Sequence, residues 1–277
     1  MNREVSDVLL GLLIKLDEVC ERHHLRYYIA YGTCLGSLRH GGFIPWDHDI
    51  DVLMPIEHAK KLVEYQDEFG EDYFLQCKKT DPEYDSISYK LRDSSTACMW
   101  PTQRGVGFNQ GISVDIYPFY NCPPTRAGLL LNIWRSYFYR ILVAGRLPVN
   151  HSRFMKMLSR IVLGIYRGER REKKAAALEK KLSSVKKGRE ILDYYGEDIS
   201  FFSAITYPRA WFGKPRKMEF EGMLFNGPTE PEKYMKRRYG DYMTLPPEEK
   251  RVNALETPGL ILDPNRSYRE YVKEMEG

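Results

Sequence analysis

The sequence predicts an α/β (α+β) protein: a mixed sheet flanked by helices, broken by a helical insertion. Three observations carry this. Apolar positions at helical spacing alternate with short branched and aromatic runs bounded by Gly or Pro over residues 4–118. From Ile116 to Gly168 the chain has no Asp or Glu, while Arg, Leu and aromatic residues are dense. After residue 190 a mixed composition returns. The 277 residues therefore divide into a core over 1–122, a basic helical insertion over 123–190, and a C-terminal segment over 191–277 that completes the core.

Each element has a local reason. Val5, Val8, Leu9, Leu12, Leu13, Leu16 and Val19 recur at helical spacing and predict an amphipathic core helix over 4–23, not a secretory leader. Leu25–Tyr31 is rich in strand formers and ends at Gly32. Thr33 is placed to cap a short helix reaching His40, which Gly41-Gly42 ends. Ile50–Met54 reads as a strand stopped by Pro55, and Glu57–Phe69 as a helix. Tyr73–Cys77, Ile87–Arg92 and Gly111–Pro118 read as further strands. In the last of these, Asp115 takes the face opposite Ile112, Val114 and Ile116. Glu169–Arg189 predicts a charged helix.

The bulk composition excludes several classes. A mean hydropathy of −0.50 argues against a multi-span membrane protein. Five cysteines, an odd number without a C-x-x-C pair, argue against a disulfide framework or a zinc ribbon, and reduced thiols in the cytoplasm are the expectation. The net charge of +4 is mild, but the insertion concentrates it. Arg135 and Arg140 interrupt the insertion's apolar segments, so the expectation is a peripheral contact with an anionic membrane rather than a span.

The chemistry concentrates in Phe43-Ile-Pro-Trp-Asp-His-Asp-Ile-Asp51. Asp49 and Asp51 stand at i and i+2, so on a strand their carboxylates share a face and can hold a hard divalent cation. Asp115, within Val-Asp-Ile, supplies a third carboxylate, and Asp47 either adds a ligand or caps the turn after Pro45. An all-oxygen set suits Mg2+ or Mn2+. Upstream, Gly36-Ser37 lets backbone approach a phosphate. An isolated D-x-D is a weak signal; the Gly-Ser step, the spacing to Asp49 and the third Asp together point to transfer of a phosphorus-containing group.

The run Tyr31-Gly-Thr-Cys-Leu-Gly-Ser-Leu-Arg-His40, followed by Gly42-Phe-Ile-Pro-Trp-Asp-His-Asp-Ile-Asp51, resembles the LicD family of cholinephosphotransferases and their fukutin-related relatives. Val114-Asp-Ile-Tyr-Pro-Phe119 is similar to the family's later D-I-F-P element, and Tyr239-Gly-Asp-Tyr-Met243 before Pro246-Pro247 to its Y-G-D segment. The resemblance implies a nucleotidyltransferase-like core and a metal-dependent phosphotransferase of glycan or lipopolysaccharide modification. A hydroxyl of a cell-surface glycan, lipid-linked in one version, would attack a CDP-activated alcohol, with CDP-choline favoured, and CMP would leave. It implies metal binding by Asp49 and Asp51, a second-metal or proton-accepting role for Asp115, and substrate contacts from Gly32, Thr33, Gly36, Ser37 and Arg39. Lys90 and Arg92 share one strand face and are candidates for the donor side, with a plain exposed face as the alternative.

Two departures stand out. His48 replaces an acid between the aspartates, and Ile56-Glu57 stand where the family has a basic residue; the relatives' cysteine-rich zinc element is also missing. Two rivals stay open: a nucleotidyltransferase that adds NMP to RNA, protein or a small molecule and releases pyrophosphate, and a non-catalytic binding protein of the same fold. No basic-aromatic RNA module is evident, so nucleic acid is not the expected partner.

Overall fold

The computed structural model describes residues 3–47, 49–147, 153–186, 188–194, 204–251, 253 and 257–276. His48, the departure inside the acidic run, lies outside them. The first helix, α1 (Arg3–Arg22), buries the predicted stripe of Val5, Leu9, Leu12, Leu13, Leu16 and Val19, and packs across the central strands. Each such fully buried aliphatic side chain contributes about 1.5–3 kcal/mol.

The strand expected over 25–31 shortens to β1 (Tyr28–Ile29), because helix α2 (Tyr31–His40) starts two residues before Thr33. Ala30, not Thr33, takes the cap position, and Tyr31 enters the helix with a φ of 45°. A bulky residue in that region carries strain of order 1–3 kcal/mol. Buried bonds hold it there: the Tyr31 hydroxyl donates to Asp193, and its N–H donates to the Tyr234 hydroxyl at 3.3 Å. Gly41, at φ 72°, ends α2 as expected.

Strand β2 (Ile50–Pro55) is buried along its whole length. The helix expected over 57–69 divides into α3 (Ile56–Leu62) and a 3-10 segment (Val63–Glu68), with a kink at Tyr65. Next come β3 (Tyr73–Gln76), β4 (Tyr89–Asp93), β5 (Ala97–Met99) and the long β6 (Ile112–Asn121). The sheet order is β1-β2-β6-β4-β3; β2 and β6 are parallel, and the other pairs on this path are antiparallel. Ile112, Val114 and Ile116 point into the core, and Asp115 alternates to the other face.

Helices α4 (Arg126–Ala144), α5 (Arg153–Ile165) and α6 (Gly168–Ser183) follow. The charged helix thus stops at Ser183, short of the expected Arg189. Tyr137, Ile141, Val162 and Leu182 join the same apolar cluster as the sheet. After the helices, β7 (Glu190–Tyr194) pairs with the end of β6, and β8 (Ala204–Pro208) pairs with β7. A hairpin of β9 (Arg216–Phe220) and β10 (Met223–Gly227) turns at Glu221-Gly222, both at positive φ. Helix α7 (Pro231–Tyr239), β11 (Ile261–Asp263), which pairs with β5, and α8 (Tyr268–Glu276) complete the chain.

Candidate functional site

Strand register assembles the acidic centre. In the parallel β2–β6 pair Asp51 stands directly opposite Asp115, and in the antiparallel β4–β6 pair Lys90 stands opposite Asp115. Three charged residues from three strands thus meet in one row. Asp51 is 3% exposed, and its N–H donates to the Thr33 hydroxyl at 2.8 Å. Thr33 therefore fixes the backbone that carries Asp51. The Lys90 ammonium donates to both Asp115 oxygens, at 2.6 and 2.7 Å. Ser113 and Tyr117 hydroxyls also donate to Asp115, at 3.0 and 3.3 Å.

Asp49 and Asp47 lie at the mouth of β2, where their side chains hydrogen-bond to each other. Asp49 is exposed to solvent at the strand mouth. Loss of surrounding water, then repulsion from Asp47 and Asp115, pushes its carboxyl up to about 8. Burial, followed by the charges of Asp49, Asp115 and Asp47, raises Asp51 well above the usual carboxylate range. Burial likewise raises Asp47.

The glycines upstream make room for this arrangement. A Cβ on Gly32 would stand 2.0 Å from Asp47 Oδ2, so only glycine lets the carboxylate lie against the first turn of α2. A Cβ on Gly36 would stand 2.3 Å from the Gly42 carbonyl, so this glycine admits the loop that leads to Asp47. Gly36 and Ser37 fall inside α2, where backbone N–H groups point at the preceding turn rather than outward. The Ser37 hydroxyl donates to the Glu219 carbonyl at 2.6 Å. The Gly-Ser step thus sits differently from the expected open phosphate cradle: it packs a helix against the Asp47 loop and the β9–β10 hairpin.

Arg39 donates to the Tyr242 carbonyl at 2.9 Å, tying α2 to the Tyr239-Gly-Asp segment. Lys90 and Arg92 do share a face, but it is not an exposed one: Lys90 holds Asp115, and Arg92 is 4% exposed.

Buried residues behind the acidic centre carry no local signal in the sequence. Tyr31 donates to Asp193, which is fully buried on β7; Arg238 lies 3.9 Å from Asp193 and stacks over the Tyr31 ring. Tyr31 also packs edge-on against Tyr117, the neighbour of Asp115. Tyr239 is raised to about 12, mainly by burial, with added charge from Asp51 and Asp47. The Tyr-Gly-Asp segment marks Tyr239 in the sequence, whereas nothing local marks Asp193.

The donor set fits a hard divalent cation: four carboxylates and no sulfur or imidazole ligand. Burial raises Asp47, Asp49 and Asp51, and mutual repulsion raises Asp49 and Asp51 further; a bound cation relieves both. Among the described residues, however, no three His, Cys, Asp or Glu side chains converge as a formed ion cage. Asp115 is engaged by Lys90, and Asp47 and Asp49 hydrogen-bond to each other.

Comparison with known proteins agrees with the geometry. Residues 24–135, which span all four carboxylates, match the family model described as LicD/FKTN/FKRP, nucleotidyltransferase domain. The lipopolysaccharide cholinephosphotransferase LicD of Haemophilus influenzae is 26% identical over 261 residues, covering 89% of this chain and 93% of that protein. The ribitol 5-phosphate transferases FKRP of mouse and human are each 26% identical over 107 residues, covering 36% of this chain and 20% of theirs. The chain is thus similar to the LicD family through its acidic core, and to one LicD protein over nearly its whole length.

Proposed function

We propose that this protein is a phosphotransferase that moves a phospho-alcohol group from a CDP-activated donor to a glycan hydroxyl and releases CMP. Phosphocholine is the favoured group, because the Haemophilus relative, named a cholinephosphotransferase, aligns over most of the chain. The FKRP relatives, named ribitol 5-phosphate transferases, support the wider class. The observation that carries the reading is the register placing Asp51 beside Asp115, with Asp49 and Asp47 at the mouth of the same strand.

Asp49 and Asp51 would hold Mg2+ or Mn2+, with Asp47 as a further oxygen donor. When bound, the ion neutralises charge on the transferred phosphoryl group and the leaving phosphate. Asp115 accepts the acceptor hydroxyl's proton or adds a ligand, and Lys90 controls its availability by occupying both oxygens. Thr33 holds Asp51 at a fixed height on β2. Gly32 and Gly36 give Asp47 and its loop the space they occupy.

The site works at the inner face of a membrane, on a lipid-linked acceptor. On α5, Phe154, Met157, Ile161 and Ile165 form an exposed stripe, with exposed Arg153 and Arg160 on the same helix and no acid before Glu169. Such a helix suits the surface of an anionic bilayer. Among the described residues no helix is long and apolar enough to cross one.

Incubation with Mg2+ or Mn2+ and CDP-choline, CDP-ribitol, CDP-glycerol, CTP or ATP tests the chemistry. CMP released from one CDP-alcohol in an acceptor-dependent way supports the reading. Pyrophosphate released from a triphosphate overturns it in favour of nucleotidyl transfer.

A further inference from the structure

A cavity of about 290 Å3 opens beside Asp115. Strands β4 and β6 contribute Lys90, Arg92 and Ser113 to its lining, and the segment after β5 contributes Trp100, Thr102 and Gln103. Arg92 is the unusual member. Its guanidinium is always charged, and the residue is 96% buried by its 4% exposure. Nε donates to Gln76 Oε1 at 2.6 Å and Nη1 to the Gly111 carbonyl at 2.5 Å. Both acceptors are neutral. Gln76 in turn donates to Asp81 at 2.8 Å, so that carboxylate reaches the guanidinium only through an amide. Among the described residues Arg92 has no ion pair and Nη2 has no hydrogen bond, yet the group is not sealed off, because it lines the cavity. A buried guanidinium without an anion is unfavourable, and its planar fork matches an oxyanion. Two positions along the same strand face, the Lys90 ammonium is drawn to Asp115 and adds a second cation at the cavity.

We propose that this cavity is a phosphate subsite in which Arg92 binds the oxygens of a phosphate group distinct from the phosphorus being attacked. The choice of phosphate rests on the transferase reading above. The group comes either from the nucleoside phosphate of the donor or from a phosphate carried by the acceptor glycan. The subsite sits on the β4 side of Asp115, whereas Asp47 and the first turn of α2 lie on the β1–β2 side. The attacked phosphorus at the carboxylates is then flanked by a separate anion hold.

Calorimetric titration of the full chain in EDTA with CMP and with glucose 1-phosphate, each against its uncharged counterpart, cytidine or glucose, tests the subsite without turnover. At least one phosphate probe should bind tenfold or more tightly than its counterpart, and the probe that does so identifies donor or acceptor as the source. Arg92→Gln should abolish that advantage. Because Arg92 also ties Gln76 to Gly111, a second variant leaves those bonds alone: Gln103→Glu puts a carboxylate into the cavity and should weaken the phosphate probe by about tenfold, with an unchanged circular dichroism spectrum. No preference for either phosphate probe, or a preference retained in Gln103→Glu, overturns the subsite. Phosphate binding that persists without turnover of any CDP-alcohol leaves the subsite standing and removes only the transferase reading.

Discussion

The acidic centre and the basic helices of residues 126–183 are built on opposite logic. At the centre a few charges are buried and each position is set by backbone: strand register pairs Asp51 with Asp115, a threonine hydroxyl holds Asp51 N–H, and a missing Cβ admits Asp47. On α4 and α5 many side chains are exposed, among them Leu130, Leu131, Trp134, Phe154 and Ile161, and no single contact dominates. One region specifies geometry; the other specifies a surface. Substitutions should therefore act abruptly in the first and gradually in the second.

The largest effect is expected from Asp51→Asn or Asp49→Asn. Each should lower CMP release from the CDP-alcohol by about a thousandfold or more, on the scale of losing charge stabilisation at a transferring phosphoryl group, while circular dichroism shows the fold intact. Full activity in either variant breaks the assignment of the centre. Gly36→Ala comes next. Its methyl would meet the Gly42 carbonyl at 2.3 Å, and because that atom is backbone, relief requires moving the loop to Asp47. Thermal melts should show a loss of about 1–3 kcal/mol, accompanied by reduced turnover.

The buried neighbour Asp193 offers a pH test. Burial holds its carboxyl up at about 6, above its ordinary value of 3.8, against the lowering contributions of Tyr31 and Arg238. A raised acid favours folding below its unfolded pKa, and that contribution is lost as pH rises through about 6. Asp193→Asn keeps an acceptor for Tyr31 without the charge. Its melting temperature relative to wild type should therefore climb between pH 4 and pH 7, by the equivalent of at most about 3 kcal/mol. A constant difference across that window contradicts the buried-charge picture. Thr33→Val is smaller again, about 1–2 kcal/mol, because it leaves Asp51 N–H without its acceptor. At the far end of the comparison, Ile161→Ser on α5 should change stability by no more than about 0.5 kcal/mol and leave turnover of a soluble acceptor unchanged. It should weaken cosedimentation with anionic vesicles, and equal binding by the variant removes the membrane contact.

Much of the centre was legible in the sequence because its signals are local. Asp51 lies on a strand with Asp49 at its mouth, and the apolar alternation around Asp115 fixed which face it takes. The start of α2 was not legible: Thr33 has the composition of a cap, yet Tyr31 enters the helix two residues earlier, with a positive φ supported by Asp193 and Tyr234 from far along the chain. For the same reason Gly36-Ser37 turned out to pack a helix, since the contacts that place it come from Gly42 and Glu219. Lys90 and Arg92 were readable as a same-face pair, but their burial was not, because burial depends on β6 and the segment after β5 closing over them. Long-range contacts, absent from any local window, account for each of these differences.

The most direct test of the central claim is a Mn2+ titration followed by electron paramagnetic resonance, on wild type and Asp51→Asn. Saturable binding by wild type that Mg2+ competes away, and that weakens at least tenfold in Asp51→Asn, is the predicted result. Equal Mn2+ binding by the two proteins, or none by wild type, contradicts a carboxylate-held cation at this site.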